Sequence, residues 1–263
     1  MSSKDNPAGG PAKGQADRTM GLARVLQKAG YGTRSQVDTL VASGRVQVAG
    51  EIVTDPHIAV EPGTEVTVGG HLIEELRRRY YAFHKPPRVV CTRAEGPTRK
   101  LVSEFLPRDV PGLNPAGRLD GKTTGLMLVS NDGAWNNAVT DDATLEQEYR
   151  VQVEGEMSDM EISVITAGIH LPNMGVFRPV SVKIVERMAS RTVILMVVRE
   201  GKARQLRRMF TTLRHQITLL RRVRIGEIWL GDLGAGAVRP LSEREVASIG
   251  GNPGAVPDES QED

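Results

Sequence analysis

One short run at residues 117–133 constrains this chain more than any other segment, and it reads GRLDGKTTGLMLVSNDG. The run places the carboxylate of Asp120 two residues after Arg118 and directly before Gly121. Residues 126–129 are apolar and predict a buried strand that leaves this turn. An isolated Asp-Gly pair is most often only a hairpin turn, so the pair by itself assigns no chemistry to Asp120.

The bulk composition is typical of a globular protein that works in water. The chain has 263 residues, of which 39% are hydrophobic and 25% charged, enough for one large domain or two unequal ones. No segment approaches the ~18 consecutive apolar residues of a membrane span, and the N-terminus lacks the apolar core of a signal peptide. Cys91 is the only cysteine. No intrachain disulfide can form, and we expect a cytoplasmic protein.

The formal net charge of +2 conceals a basic stretch at residues 200–224, in which Glu200 is the single acid. Its cations are Lys202, Arg204, Arg207, Arg208, Arg214, Arg221, Arg222 and Arg224. The apolar residues Leu206, Met209 and Phe210 recur among them. This pattern favours a packed element that presents a surface to a polyanion over a merely solvated face.

Residues 19–75 predict a small module between a polar N-terminus and a larger domain. We expect residues 1–18 and the acidic tail at 250–263 to be disordered. Helical spacing of Leu22, Val25 and Leu26 predicts a first helix, and Thr33 with Gln36 makes a capping-box pair for a second. Short alternating segments at 45–48, 51–53 and 65–68 predict strands, the first two joined as a tight hairpin.

This module is similar to the S4 RNA-binding domain in its helices, its G-R-V-x-V-x-G turn and its closing strand. The resemblance implies that Arg34 and Arg45 meet the RNA backbone. The chain departs from that family at Ser35, where a second arginine is usual, and at Ala49, where asparagine is usual. A helical hairpin without a ligand is the alternative interpretation of the module.

Residues 79–247 predict an α+β domain with a mainly antiparallel sheet, because strands lie in neighbouring runs with no repeating βαβ period. The expected strands lie at 80–84, 88–92, 125–129, 147–153, 182–185 and 192–198. The expected helices follow Ser130, Ser158 (with Glu161), residue 204 and Ser242 (with Glu245). No glycine-rich dinucleotide motif and no metal-ligand spacing of histidines is present, so we expect no cofactor and no metal.

The run at 117–133 resembles the G-R-L-D-x-x-T-x-G-L-L-L-x-T-N-D-G signature of the pseudouridine synthases that modify bacterial ribosomal RNA. The matching residues are Gly117, Arg118, Leu119, Asp120, Thr123, Gly125, Leu126, Leu128, Asn131, Asp132 and Gly133. The reaction breaks the N-glycosidic bond of a uridine, turns the uracil and rejoins it through carbon. It transfers no phosphate and has no redox step, which agrees with a chain that has no cofactor site. The resemblance implies that Asp120 is the catalytic aspartate, acting either as a nucleophile or by removing a sugar proton.

A second segment, EGKARQLRRM at residues 200–209, resembles the E-G-x-x-R-Q-[IL]-R-R-M run of the same family. The resemblance implies that Arg207 pairs with Asp120 and that Leu206 packs against the uracil. It also implies RNA contacts from the basic stretch, for which we select Lys202, Arg204, Arg208, Arg221 and Arg222.

Tyr149 matches the active-site tyrosine of that family. A tyrosine supplies a flat apolar face for stacking and a hydroxyl that can assist proton transfer. The family usually has a lysine two residues earlier, where this chain has Gln147. The resemblance further suggests that Arg118 fills the place of the extruded base or holds a flanking phosphate. Lys85 and Pro86 match the opening of the family, and we interpret them as a turn without chemistry.

These patterns together predict a monomeric synthase whose partner is ribosomal RNA or a ribosomal subunit precursor. The R-Q-L-R-R-M form favours large-subunit RNA over small-subunit RNA. Two other classes remain open at this point. A non-catalytic RNA-binding protein of ribosome assembly is supported by Ser35, Ala49 and Gln147. A carboxylate glycosidase would need a second acid beside Asp120, and the sequence offers no evident one.

Overall fold

The computed structural model describes residues 19–32, 34–61, 63–73, 78–91, 99–199 and 203–250, without the side chains at 203 and 204. The predictions for residues 1–18, Thr33, Lys202, the side chain of Arg204 and residues 251–263 lie outside this part of the chain. The structure divides into two compact units, Met1–Leu76 and Arg77–Asp263. In the described residues no helix has the length and apolar character to cross a membrane.

The first unit packs two short helices on small antiparallel sheets. Its elements are β1 (Met20–Gly21), α1 (Leu22–Lys28), α2 (Arg34–Ala42), β2 (Val46–Val48), β3 (Glu51–Val53), β4 (Ala59–Val60), β5 (Val66–Val68) and β6 (His71–Leu72). Strands run in the order β3-β2-β5-β6, and β1 pairs with β4. The apolar residues that predict the helices, Leu22, Leu26, Val37 and Val41, are fully buried in the core. The two-residue strands β1, β4 and β6 were not predicted because they carry too few residues to show an alternation.

The second unit is built on one large mixed sheet. Its elements are β7 (Tyr80–Lys85), β8 (Asn114–Ala116), β9 (Thr124–Ser130), α3 (Gly133–Asp141), β10 (Gln147–Glu154), α4 (Asp159–Ala167), β11 (Ile169–Leu171), β12 (Gly175–Phe177), β13 (Ser181–Met188), β14 (Arg191–Val198), α5 (Ala203–Thr212), β15 (Ile217–Ile225), β16 (Ile228–Trp229), β17 (Val238–Pro240) and α6 (Glu243–Ala247). The main path is β13-β14-β10-β15-β9-β7-β17. Among the described strands only β9 and β15 pair in parallel, which confirms the prediction of an α+β domain with a mainly antiparallel sheet.

Local capping explains where the helices of this unit begin. Ser158 with Glu161 and Ser242 with Glu245 form capping boxes at α4 and α6, as the sequence predicts. Asp132 caps α3, because its carboxylate accepts hydrogen bonds from the backbone N–H groups of Ala134 and Trp135. The end of the 117–133 run is therefore structural.

The same Asp132 is also fixed from the neighbouring strand. The hydroxyl of Tyr80 donates to its Oδ2 over 2.9 Å. Burial, assisted by the nearby carboxylate, raises the pKa of Tyr80 to about 12, so the hydroxyl stays protonated and remains a donor. This contact ties the start of α3 to β7.

One expected strand is absent from the described residues, and one strand of the structure is not among the expected ones. Residues 88–92 do not form a strand where they are described: Arg88 has φ +66° and Val90 makes one isolated bridge to Leu101. Pro86 and Pro87 precede this segment and lack the N–H groups a ladder needs. The strand β15 was missed, although it lies between β10 and β9 in the sheet, because its arginines conceal the alternation typical of a strand.

Gly125 allows β9 and β15 to approach each other. Its φ is +105° and it stands opposite Arg222 in the parallel ladder. A Cβ at this position would overlap the backbone carbonyl oxygen of Arg222. Gly125 therefore allows β15 and its side chains to lie against β9, directly after the turn that carries Asp120.

Candidate active site

Asp120 lies in the turn between β8 and β9. Its Oδ1 accepts the backbone N–H groups of Lys122 at 2.9 Å and Thr123 at 2.7 Å. These bonds make an Asx-type turn that fixes the direction of the carboxylate. The side chain is 25% exposed, so the carboxylate is held by the protein yet open to a ligand.

Arg207 projects from α5 onto this carboxylate. Its Nε donates to Asp120 Oδ2 at 3.2 Å, and its Nη2 donates to Thr123 Oγ1 at 3.1 Å. The neighbours of Arg207 on α5, including Leu206, Met209 and Phe210, are buried in the core. The apolar face of α5 therefore aims the arginine, and the structure contains the pairing of Arg207 with Asp120 that the sequence predicts.

The electrostatics of the turn favour an ionised carboxylate. Partial burial by itself raises the pKa of Asp120. The positive charge of Arg207 and the hydrogen bonds from Arg207 and Thr123 outweigh that effect and hold the pKa below its usual value. Asp120 is consequently a carboxylate throughout the neutral range, which suits either a nucleophile or a base.

Tyr149 lies on β10 with its side chain completely buried. Its hydroxyl donates to Gln147 Oε1 over 3.1 Å, since residues two apart on a strand share a face. Burial raises the pKa of Tyr149, the positive charge of Arg222 lowers it, and the negative charge of Asp120 raises it. Burial is the largest of these effects, so the hydroxyl of Tyr149 stays protonated in the neutral range.

The prediction that Arg222 contacts RNA is wrong for this structure. Arg222 is 4% exposed. Its Nε donates to the carbonyl of Leu126 at 2.7 Å, and its Nη1 donates to Gln147 Oε1 at 2.9 Å. Its place opposite Tyr149 in the β10–β15 ladder points the guanidinium into the protein. Arg224, which also belongs to the basic stretch, forms ion pairs with Glu146 and Glu148.

The other predicted site residues differ in how far their side chains are exposed to solvent. Leu206 is 1% exposed in the same core cluster as Tyr149, so this structure leaves it almost no free face for a uracil. Arg118 and Arg208 are exposed, and Arg221 is half-buried. In the first unit Arg34 and Arg45 are exposed, and Arg34 contacts Asp38 and His57.

The sequence assigns no role to three residues whose contacts the structure describes, namely Thr123, Gln147 and Lys85. Thr123 is buried and bridges Asp120 to Arg207. Gln147 accepts from both Tyr149 and Arg222. Lys85 was interpreted as part of a turn, but it ends β7 opposite Gly125 with its side chain fully buried. The presence of Thr123 in the 117–133 run was the one available signal.

No group of three or more potential metal ligands occurs among the residues that the structure describes. A cleft of about 390 Å³ lies beside Arg207 and is lined also by Thr211, Arg214, His215 and Gln216. This cleft extends the basic surface away from the carboxylate along the end of α5.

The comparisons with known proteins agree with this geometry. The family model for RNA pseudouridylate synthase matches residues 79–212, and the S4 domain model matches residues 20–66. The ribosomal small subunit pseudouridine synthase A of Yersinia pestis is 33% identical over 83% of this chain and 93% of its own length. The ribosomal large subunit pseudouridine synthase B of Bacillus subtilis is 28% identical over 87% of this chain and 94% of its own.

A solved structure shares the architecture. It is described as the crystal structure of pseudouridylate synthase, and it is 25% identical with a TM-score of 0.61 over 88% of this chain and 99% of that chain. The match to the synthase model covers about half of the sequence and includes Asp120, Tyr149 and Arg207. The chain therefore belongs to the RNA pseudouridylate synthase family and carries an S4 domain ahead of the synthase domain.

Proposed function

We propose that this protein isomerises a specific uridine of ribosomal RNA to pseudouridine, with Asp120 as the catalytic carboxylate. The observation that carries the proposal is the fixed, ionised and partly exposed carboxylate of Asp120, held by two backbone N–H groups and by Arg207. Membership of the synthase family supplies the reaction class.

The reaction conserves every atom of the nucleotide. The C1′–N1 bond breaks, a bond forms between C1′ and C5 of the uracil, and the proton on C5 leaves while N1 gains one. Asp120 either attacks C1′ or removes the proton on C2′. Tyr149 is proposed to assist the departure of the C5 proton, because a tyrosine hydroxyl held in one orientation, here by Gln147, can assist proton transfer.

Base extrusion explains the need for cations around the site. Taking a uridine out of its stack costs a few kcal/mol. Arg118 is exposed two residues from Asp120 and is proposed to hold a flanking phosphate or occupy the vacated place. Arg208, Arg221 and the cleft beside Arg207 are proposed to continue the contact with the backbone.

The proposed domain assignment gives each part of the chain one task. An S4-like module at residues 19–75 binds RNA through Arg34 and Arg45, and a synthase domain at 79–247 performs the isomerisation. The names of the relatives mention both ribosomal subunits. We retain large-subunit RNA, free or in a subunit precursor, as the first substrate to test, and a monomer acting in the cytoplasm without a cofactor as the working form.

Tritium release from ribosomal RNA labelled at C5 of uridine tests the proposal. The wild-type protein is expected to release tritium, and Asp120→Asn to release none while its RNA affinity stays within a few fold. The amide keeps the size of the side chain but is neither a nucleophile nor a base. Binding by the wild type without release would instead identify a non-catalytic assembly protein. Residual turnover of the variant within tenfold of wild type would move the chemistry to another residue.

The target is identified by mapping pseudouridines in ribosomal RNA from cells with and without the gene. One position is expected to lose the modification when the gene is deleted and to regain it with the wild-type protein. Restoration by Asp120→Asn would contradict the proposed role of the carboxylate.

A further inference from the structure

The hydroxyl of Tyr149 is held by two residues from separate strands. Gln147 lies on the same face of β10 two residues earlier, and Arg222 stands opposite Tyr149 on β15. Gln147 Oε1 accepts a hydrogen bond from the Tyr149 hydroxyl at 3.1 Å and another from Arg222 Nη1 at 2.9 Å. A guanidinium is only a donor, so the amide must present its oxygen to Arg222. The orientation of Gln147 is therefore determined.

The guanidinium itself is anchored by the backbone. The β9–β15 ladder pairs Thr124 with Arg221 and Gly125 with Arg222. The next carbonyl of β9, that of Leu126, accepts from Arg222 Nε at 2.7 Å. Nη2 of the same guanidinium is buried without an acceptor among the described residues.

We propose that Arg222 and Gln147 are positioning residues that fix the orientation of the Tyr149 hydroxyl for the reaction. Gln147 accepts the hydrogen bond that the hydroxyl donates, which leaves the lone pairs of the tyrosine oxygen directed away from Gln147. Arg222 holds Gln147 in that orientation and places a positive charge near the hydroxyl. The charged groups that face the hydroxyl are Arg222 from β15 and Asp120 from the catalytic turn. This inference rests on the proposed function only for the part that Tyr149 plays in turnover.

A double-mutant cycle separates positioning from a general structural role. Gln147→Leu removes the shared acceptor and leaves the Arg222 contact with Leu126 in place, and Arg222→Lys keeps the charge. A cooperative thermal transition is required of each variant before its rate is compared. Each is expected to lower the single-turnover rate constant by about tenfold, a usual coupling for residues in contact. In a Tyr149→Phe background the same changes are expected to cost less than twofold. Equal losses in both backgrounds would overturn the proposal.

A second measurement needs no turnover and so distinguishes this inference from the proposed function. The full-length protein is labelled with 3-fluorotyrosine, and the Tyr149 signal is assigned by its absence in Tyr149→Phe. Since the charge of Arg222 lowers the pKa of Tyr149, Arg222→Gln is expected to move the titration midpoint of that signal to higher pH. Arg191→Gln, which removes a surface cation paired with Glu186, is the control and is expected to leave it unchanged. An unchanged midpoint in Arg222→Gln would overturn the proposal.

A separate observation concerns Arg88, beside the same turn. Arg88 has φ +66°, a left-handed conformation in which glycine is unstrained and arginine is not. Its backbone N–H donates to the carbonyl of Gly121 at 2.7 Å, next to Asp120. The side chain is exposed and makes no hydrogen bond or ion pair with the residues that the structure describes.

We infer that Arg88 contacts a phosphate of the bound RNA at the rim of the site, and that this contact offsets the backbone strain. The inference rests on the proposed function. If the wild-type protein does not bind the RNA in the same titration, the proposed function fails; if it binds and Arg88→Gly binds equally well, only the inference about Arg88 fails. Arg88→Gly is expected to raise Tm by about 2–4 °C. It is also expected to weaken RNA binding and reduce the log–log salt slope by ~0.7, the effect of one phosphate on a single strand.

Two further variants make the Arg88 test decisive. Arg88→Lys retains the charge and the strain and is expected to bind RNA as the wild type does. Asn173→Gly relieves a left-handed φ of +61° in the turn between β11 and β12, and is expected to leave RNA binding unchanged. Unaltered affinity and salt slope in Arg88→Gly, or a lower Tm, would overturn the inference.

Discussion

Arg207 combines two tasks at the scale of a single residue. It carries a positive charge to Asp120, and its planar fork also reaches Thr123. A lysine would retain the charge but lose the second contact, since one ammonium cannot reproduce the geometry of the fork. The orientation of the carboxylate therefore depends on the guanidinium and not only on its charge.

Arg207→Lys is expected to impair catalysis far more than binding. Misplacing a reacting group by ~1 Å can cost on the order of a hundredfold in rate, whereas phosphates would meet one cation in place of another. The measurement is the single-turnover rate constant beside the dissociation constant on one RNA fragment. Loss of affinity with normal turnover of the bound complex would make Arg207 a phosphate contact instead.

A substitution that also removes the positive charge of Arg207 leads to a prediction about how the reaction rate depends on pH. In the proposed mechanism the carboxylate is the active form of Asp120, so the rate is expected to fall as the pH drops through its pKa. Arg207 holds that pKa below its usual value. Arg207→Gln is therefore expected to move the acid limb of the pH–rate profile to higher pH, and an unmoved limb would contradict the pairing in solution.

Gln147 departs from the family pattern and serves as a hydrogen-bond acceptor for both Tyr149 and Arg222. The synthases that this chain resembles usually have a lysine here. An ammonium has three donors and no acceptor, so a lysine would not accept from Tyr149 or Arg222 and would add a like charge beside the guanidinium. The amide oxygen of Gln147 is compatible with a buried arginine at 222, and the two residues have to be considered together.

At the scale of elements, the contact between β9 and β15 assembles the site. The two strands pair over only two residues, and Gly125 is one of them. The contact sets β15 against β9, while the pairing of β15 with β10 brings Arg222 opposite Tyr149. Helix α5, which precedes β15, places Arg207 over Asp120. The glycine is thus required by the close approach of the two backbones and not by the turn alone.

Gly125→Ala is expected to destabilise the fold by at least about 2 kcal/mol, since it combines a left-handed φ with overlap of a backbone carbonyl. Gly133→Ala is the matched control from the same run. Gly133 begins α3, and an added Cβ there meets nothing within 4 Å. Urea unfolding of both variants checks this, and equal stability of the two would contradict the packing argument.

The β10–β15 ladder also gives a prediction for the basic stretch. Arg221 stands directly opposite Arg150, with its Nε buried and without an acceptor among the described residues. Like charges opposite each other destabilise a sheet unless an anion lies between them. Arg221→Glu is therefore expected to flatten the salt dependence of RNA binding, by ~0.7 in log–log slope for each phosphate lost. An unchanged slope would leave Arg221 without a part in RNA binding.

The molecule as a whole separates into two units, and their cores draw on different residues. The helices and strands up to residue 73 bury their own apolar cluster, and the large sheet buries three others. Each unit has the packed interior that independent folding requires.

Deletion of residues 1–75 is accordingly expected to leave a folded synthase domain that binds ribosomal RNA more weakly. Circular dichroism and a cooperative thermal transition report the fold, and RNA titration reports the affinity. Failure of the truncated protein to fold would show that the two units share stabilising contacts. Unchanged affinity would remove the S4-like module from RNA recognition.

The sequence by itself determined the features that depend on neighbouring residues. The run at 117–133 identified the turn with Asp120, and the capping boxes placed α4 and α6, because these interactions span two to four positions. The apolar spacing of Leu206, Met209 and Phe210 likewise predicted a packed helix. Family resemblance added the pairing of Arg207 with Asp120.

Only the tertiary structure decided which cations face inward. Arg222 looks like its neighbours in the sequence, yet it bonds Gln147, 75 positions away, and Leu126, 96 positions away. The same holds for Lys85, whose burial depends on the strand opposite it. The physical reason is that a strand's two faces are defined by its partners. A run of arginines on β15 therefore carries no local sign of which side chains meet water and which turn toward Tyr149.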